Sequence, residues 1–234
     1  VIPLGDGRRL PIFPVIVYSL VAVNIGVFFQ EMGAPDPDAF INAFAAIPFD
    51  ITHNVVLSAP SPPLPPLTLF TAMFLHGSFL HIAFNMLFLI VFGPEIEYLC
   101  GHLRFLALYL ICGLVGNLAQ VGVGPESHIP AIGASGAIAG ILGAYIVKFP
   151  RASIRTIVPI GCFPLFLRLP AMLVIGLWAA VQFVHGFGAL SSRVASEQGG
   201  TAYFAHIGGF CSGVLLIGWF AIRDRTGRSY RYYW

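Results

Sequence analysis

Hydrophobic residues run along this chain in long blocks rather than in alternation. Six windows, roughly 12 to 30, 69 to 92, 103 to 122, 132 to 149, 170 to 189 and 203 to 222, are apolar and nearly free of charge. Each approaches the about 20 apolar residues that a helix needs to cross a bilayer. The pattern therefore predicts six membrane-spanning helices. Proline marks their edges, with Pro11 and Pro14 before the first, Pro66 before the second, Pro94 after it, Pro130 and Pro150 around the fourth, and Pro170 before the fifth. Lacking an N–H and fixed in φ, proline suits the start of a helix better than its interior.

Composition agrees with this pattern. The 234 residues are 57% hydrophobic and 9% charged, with a mean hydropathy of +0.85, whereas a soluble domain carries about a quarter charged residues. The expected fold class is all-α, a polytopic membrane protein, with residues 1 to 234 forming a single transmembrane domain and no internal repeat. Twelve Lys and Arg against ten Asp and Glu leave a formal charge of +2, too balanced for a nucleic-acid partner. The placement of charge is more informative. Arg8, Arg9, Arg104, Lys148, Arg151, Arg155, Arg168, Arg223, Arg225, Arg228 and Arg231 fall on one side of the predicted spans, and Arg193 alone falls opposite. By the positive-inside rule both termini are cytoplasmic. No signal-peptide pattern opens the chain, and the compact layout leans towards a bacterial plasma (inner) membrane. The long first outer loop, about 33 to 68, contains "SAPSPPLPPL", too rich in proline for a helix of its own; loops of such length are usually functional or disordered. Cys100, Cys112, Cys162 and Cys211 form no CxxC pair or zinc spacing and read as free thiols.

Polar side chains inside hydrocarbon need a reason to be there. The second window holds His76, His81 and Asn85 in "FLHGSFLHIAFNMLFL", the fourth holds Ser135, the fifth Gln182 and His185, and the sixth His206 in "YFAHIGGF". No Asp or Glu lies deep in any window. On a helix, residues four apart lie about 40° apart around the axis and residues five apart about 140°. His81 and Asn85 thus share a face, while His76 looks elsewhere and is assigned to anchoring the outer loop. Ser135 and His206 each lie about four residues inside the outer end of their windows, at matching depth. Gly133, Gly136, Gly140 and Gly143 on one helix, and Ala205, Gly209 and Gly213 on the other, form small-xxx-small patterns that allow close approach. A serine–histidine pair must close to about 2.6–3.2 Å for the imidazole to act as base towards the hydroxyl. With no buried carboxylate to orient the histidine, the arrangement would be a dyad. Oxyanion donors available to it are the backbone N–H of Ser135, near the positive end of its helix, and the side chains of His81 and Asn85.

Other readings compete at each position. Ser135 alone would pass for helix-packing serine, and His206 opposite it favours the nucleophile. A metal or haem site built from His76, His81 and His206 is a competing reading, but His76 faces away and no HExxH helix is present. Paired span aspartates, as an aspartyl protease would need, are absent. A membrane-segment binder without proteolysis and a small transporter using span histidines are the remaining alternatives. Trp178 and Gln182, four apart, suggest an interhelical hydrogen bond beside an interfacial aromatic, or a gate. His185 reads as interfacial, and Glu97 in "GPEIEYLCG" as a cap or bridge at the inner end of the second helix. The tail "RDRTGRSYRYYW" reads as an anchor to anionic headgroups.

Three of these segments together resemble the rhomboid family of intramembrane serine proteases. "HGSFLHIAFN" is similar to its HxxxxHxxxN element, "GASGAIAGILGAY" to its GxSG element and "AHIGGF" to its AHxxG element, in the family's order on helices two, four and six. The resemblance implies a six-transmembrane-helix rhomboid-like bundle with Ser135 as nucleophile, His206 as base, and His81 and Asn85 as oxyanion partners. Gly133 belongs to the nucleophile motif, and Gly136, Gly209 and His76 support the site. It further implies cleavage of single-span membrane-protein substrates near the outer face of the lipid bilayer, without metal or other cofactor. The substrate helix is expected to unwind locally, with span five and the outer loop admitting it. Two departures stand out: "PPLTLF" occupies the stretch where many members carry a Trp-Arg pair, and Ala139 stands where some place an aromatic against the histidine.

Overall fold

In a computed structural model, residues 2–5, 7, 10–55, 64–160, 163–191 and 202–222 are described. In chain order the elements are β1 (Ile2–Gly5), α1 (Val15–Gly33), α2 (Pro37–Phe44), α3 (Pro48–His53), α4 (Thr68–Thr71, between short 3-10 turns), α5 (Phe79–Cys100), α6 (His102–Val123), α7 (Ser135–Lys148), β2 (Ser153–Ile160), β3 (Phe163–Pro170), α8 (Ala171–Ser191) and α9 (Tyr203–Phe220). The protein is mostly helical and a multi-pass membrane protein. Five helices, α1, α5, α6, α8 and α9, are long and apolar enough to cross a membrane. The sixth expected span is α7, which has 14 residues.

Three spans differ from their expected limits by three residues or more, the first running over Val15–Gly33 rather than 12 to 30. The second begins at Phe79 rather than near residue 69, because Ser78 takes an extended conformation and its hydroxyl accepts from the His81 N–H, a helix cap. It then continues through Pro94 to Cys100, since proline is tolerated inside a membrane helix whose neighbours absorb the loss of one N–H. The fourth begins at Ser135 rather than 132, because Gly133 sits at φ +117°, a conformation no helix contains. Ser135 is thus the first residue of its helix, not a residue four positions inside it. A 14-residue helix is roughly 21 Å long, against about 30 Å of hydrocarbon. α7 is therefore too short to span that thickness by itself, with Ser135 at one end and Lys148 at the other.

α7 is the centre of the bundle: every residue from Gly136 to Tyr145 is buried. Its glycines meet α9 backbone to backbone. A Cβ at Gly209 would strike the Gly136 carbonyl oxygen, one at Gly213 the Gly140 carbonyl, and one at Gly143 the Phe210 carbonyl. α6 joins the contact through Gly116, where a Cβ would lie 2.5 Å from the Ala205 carbonyl oxygen. Large side chains fill the other faces of α7, with Phe92 of α5 edge-on to Tyr145 and ring centroids 5.1 Å apart.

A three-stranded antiparallel sheet in the order β1-β2-β3 adds to the helices at the end opposite Ser135; the sequence pattern had not suggested it. At that end Glu97, fully buried, accepts from the Ile16 and Val17 N–H groups through its two oxygens, both at 2.9 Å. It caps the otherwise unsatisfied start of α1, and the His102 ring bonds to the same carboxylate.

The described parts of the first loop are tied to the rest of the protein by hydrogen bonds. Ala46 and Ala131 exchange backbone hydrogen bonds at 3.0–3.1 Å, Phe49 donates to Ser127, and the Thr71 hydroxyl donates to Phe44. Asn117 of α6 donates to the Leu69 carbonyl from a buried position. These bonds pin the loop without a Trp-Arg pair, and its proline-rich end forms a 3-10 turn over Pro65–Leu67. Arg8, Arg9, Arg193, Cys162, residues 56–63 and the basic tail lie outside the described residues; Cys100, Cys112 and Cys211 are free thiols.

Candidate active site

Ser135 opens α7 with its hydroxyl 2.7 Å from Nε2 of His206, on the first turn of α9. That distance lies within the reach a nucleophile and its base require. The contact exists because α7 and α9 touch through glycines; with ordinary side chains between them, interaxial distances of about 8–10 Å would result. His206 is 8% exposed, so its ring is fixed by protein on nearly all sides. The α9 start is itself held by Gln120 of α6, which accepts from the Phe204 N–H.

On the other side of Ser135, the backbone at Gly133 approaches α5 closely. A Cβ there would lie 2.7 Å from Nε2 of His81 and 3.6 Å from Nδ2 of Asn85, and the Gly133 N–H is tied to the Ala72 carbonyl at 2.8 Å. Only glycine fits, both for its φ and for the space. His81 and Asn85, one turn apart, thus converge on the segment that delivers Ser135. The Asn85 amide nitrogen is buried and has no protein partner. A buried donor without an acceptor is costly, and this one can still serve an incoming acceptor.

His76 lies in the non-helical stretch ahead of α5, so the helical-wheel argument that turned it away does not apply. Its ring stands edge-on to His81 at 5.1 Å between centroids, its Nδ1 bonds to the Phe74 carbonyl, and its backbone N–H donates to the buried carboxylate of Glu31 at the end of α1. Burial, and secondarily the neighbouring His81, push its pKa down to about 4. Glu31 was not singled out from sequence; an acid in the last turn of an apolar helix was its only signal.

The other residue that sequence reading underused is Gln182 on α8. Its Oε1 is 2.7 Å from Nδ1 of His206, and its amide nitrogen donates to the Trp178 carbonyl at 3.3 Å. The polar contact crosses from α8 to α9, as the sequence suggested, but to the histidine. Trp178 itself lies beside the His206 ring, centroids 5.8 Å apart and tilted 40°. This aromatic comes from α8, whereas Ala139 of α7 is a small, fully buried residue. His185, one turn further out, stacks on Tyr203. Among the described residues no three His, Cys, Asp or Glu side chains are grouped to hold a metal ion.

A family profile described as Rhomboid domain matches residues 66–223, more than half of the chain, and spans His76, His81, Asn85, Ser135 and His206. Rhomboid protein 1, mitochondrial, of Saccharomyces cerevisiae is 28% identical over 88% of this chain and 53% of its own length. RHOMBOID-like protein 5 of Arabidopsis thaliana is 33% identical over 63% of this chain and 42% of its own. The Putative rhomboid protease YdcA of Bacillus subtilis is 37% identical over 33% of this chain and 39% of its own. The chain spans about half the length, or less, of these relatives.

Proposed function

The chain belongs to the rhomboid family, and on that premise we propose that it is an intramembrane serine endopeptidase acting through Ser135 and His206. The observation that carries this reading is the 2.7 Å contact between the Ser135 hydroxyl and the His206 Nε2 in a buried setting. In the first step Ser135 Oγ attacks the scissile carbonyl carbon while His206 Nε2 takes the hydroxyl proton. The oxyanion so formed accepts from the Ser135 N–H, the Asn85 amide and the His81 ring. Collapse breaks the C–N bond, the amine leaves with the proton from His206, and the acyl group stays on Ser135. Water then attacks the ester with His206 again as base, releasing the new carboxylate and the free serine.

The substrates are membrane-protein segments, single-span ones fitting best, since a strand of peptide must reach a serine at the start of a short helix. A helix has no free backbone to offer, so the segment must unwind locally, which favours small or helix-breaking residues near its outer end. The charge distribution supports cytoplasmic termini. We favour a bacterial plasma membrane, although the matched relatives include mitochondrial as well as bacterial proteins.

The test is labelling of the detergent-purified protein with a fluorophosphonate, together with cleavage of a single-span test substrate. Labelling and cleavage are expected for the wild type and are expected to vanish in Ser135→Ala and His206→Ala. Cleavage by Ser135→Ala would overturn the dyad, and sensitivity to EDTA would redirect the reading to a metal site.

A further inference from the structure

A lone imidazole has two neutral tautomers, and only one of them presents a lone pair to Ser135. The proposed dyad contains no carboxylate to choose between them, so the choice must come from elsewhere in the site.

Gln182 supplies it by geometry. Its amide carries one acceptor and one pair of donors, and the NH2 end is committed to the Trp178 carbonyl one turn back on α8. The oxygen is therefore the end that faces His206 Nδ1 at 2.7 Å. An oxygen can only accept, so Nδ1 must carry the proton. Nε2 is then left with its lone pair directed at the Ser135 hydroxyl. Both Gln182 and His206 are 8% exposed, which excludes ready replacement of this bond by water. His81 across the site and His185 on α8 are the titratable neighbours, and neither is a carboxylate that could duplicate the role.

The residue's position matters as much as its chemistry. Trp178, Gln182 and His185 recur at helical spacing along one face of α8, against His206, Phe210 and Tyr203 of α9. The opposite face of α8, with Leu173, Leu177, Val181 and Val184, is exposed and faces outward. α8 therefore touches the dyad through Gln182 alone among its hydrogen-bonding groups described. Moving α8 away from α9 would remove the acceptor from Nδ1.

We infer that Gln182 is a positioning residue that holds His206 in the Nδ1–H tautomer, so that the histidine is a competent base only while α8 is seated against α9. This rests on the serine-protease reading for its catalytic consequence, but the tautomer itself does not.

The experiment compares the wild-type chain with Gln182→Leu and Gln182→Glu in detergent. Ring 15N spectra, with His206 assigned by its loss in His206→Ala, should show Nδ1 protonated in the wild type and a shift towards the Nε2–H form in Gln182→Leu. For cleavage of the single-span substrate, Gln182→Leu should lower kcat about 10–100-fold with little change in KM. Gln182→Glu keeps an acceptor but adds charge, so it should restore kcat at high pH and move the acidic limb of the pH profile upward by about one unit. A packing role alone would move neither the tautomer nor that limb. An unchanged ring spectrum and kcat in Gln182→Leu overturn the inference; if that variant does not fold, an unmoved acidic limb in Gln182→Glu overturns it instead. A wild type that never labels or cleaves, yet shows the tautomer shift on substitution, would sink the protease reading and leave the contact standing.

Discussion

A β-carbon placed on Gly209 of α9 would lie 2.0 Å from the carbonyl oxygen of Gly136 on α7, so the two helices leave no room for one. One turn further along α9, Gly213 repeats the relationship with Gly140. The two helices are joined by backbone, and the Ser135–His206 distance is a consequence of that join.

Gly209→Val should therefore push the helices apart. Overpacking costs about 1–3 kcal/mol where side chains can yield, and here the obstacle is backbone, so the upper end or beyond is expected. Thermal unfolding in detergent should fall together with fluorophosphonate labelling. Gly176→Ala on α8 is the control, because a Cβ there meets nothing within 4 Å; it should gain about 0.5–1 kcal/mol from helix propensity. Equal stability of the two variants would contradict the backbone contact.

Asn85 offers a test in which activity and stability move in opposite directions. Its amide nitrogen is buried without a partner, so replacing it with Leu removes a donor that the resting protein leaves unsatisfied. Loss of one oxyanion donor typically lowers kcat about 10²–10³-fold. Stability should hold or rise, since an unsatisfied buried group costs about 1–3 kcal/mol. Single-turnover cleavage and thermal unfolding on the same preparation measure both; an undiminished kcat would remove Asn85 from the oxyanion site.

Much of this was legible in sequence, and the reasons differ by residue. Ser135 and His206 could be paired because small residues mark helix contacts in membranes and because both stand near the same ends of their windows. The start of α5 was misread because Leu69 to Leu75 is as apolar as the helix that follows, and the break depends on the extended backbone at Ser78. The sheet left a signal, two eight-residue runs around Gly161-Cys162 rich in β-branched and large apolar residues, but apolar runs of that length do not distinguish strand from helix. The Ala46–Ala131 bridge and the Gln182–His206 bond join segments far apart in the chain, and no local pattern fixes how α8 is rotated against α9.

His76 predicts a pH dependence of stability. Its pKa is near 6.5 when exposed in the unfolded chain and is held down to about 4 in the fold by burial. Above pH 7 both states are neutral and the residue contributes no slope. As pH falls through 6.5 the unfolded state takes up a proton that the folded state refuses, so stability is lost progressively down to about pH 4. The difference corresponds to about 3 kcal/mol at the acid end. His76→Gln keeps the N–H that Glu31 accepts and should flatten the decline in unfolding temperature between pH 6.5 and 4.5. The same slope in both proteins would contradict the assignment.

Glu97 separates stability from catalysis by position. Its carboxylate is fully buried at the end of the bundle opposite Ser135 and satisfies two N–H groups at the start of α1. Glu97→Ala would leave both donors buried without acceptors and the His102 ring without its partner. An N–H left buried without an acceptor costs about 1–3 kcal/mol, while the His102 side chain, 45% exposed, returns to water. Glu97→Gln keeps an oxygen for one N–H and turns the other end of the side chain into a donor facing a donor, so it should recover only part of the loss. Neither substitution touches a group that approaches Ser135, so kcat per folded, fluorophosphonate-reactive molecule should match the wild type while the unfolding temperature falls. A drop in kcat per labelled molecule would mean that the α1–α5 junction at the inner end transmits to the serine, and the separation of the two ends of the bundle would have to be abandoned.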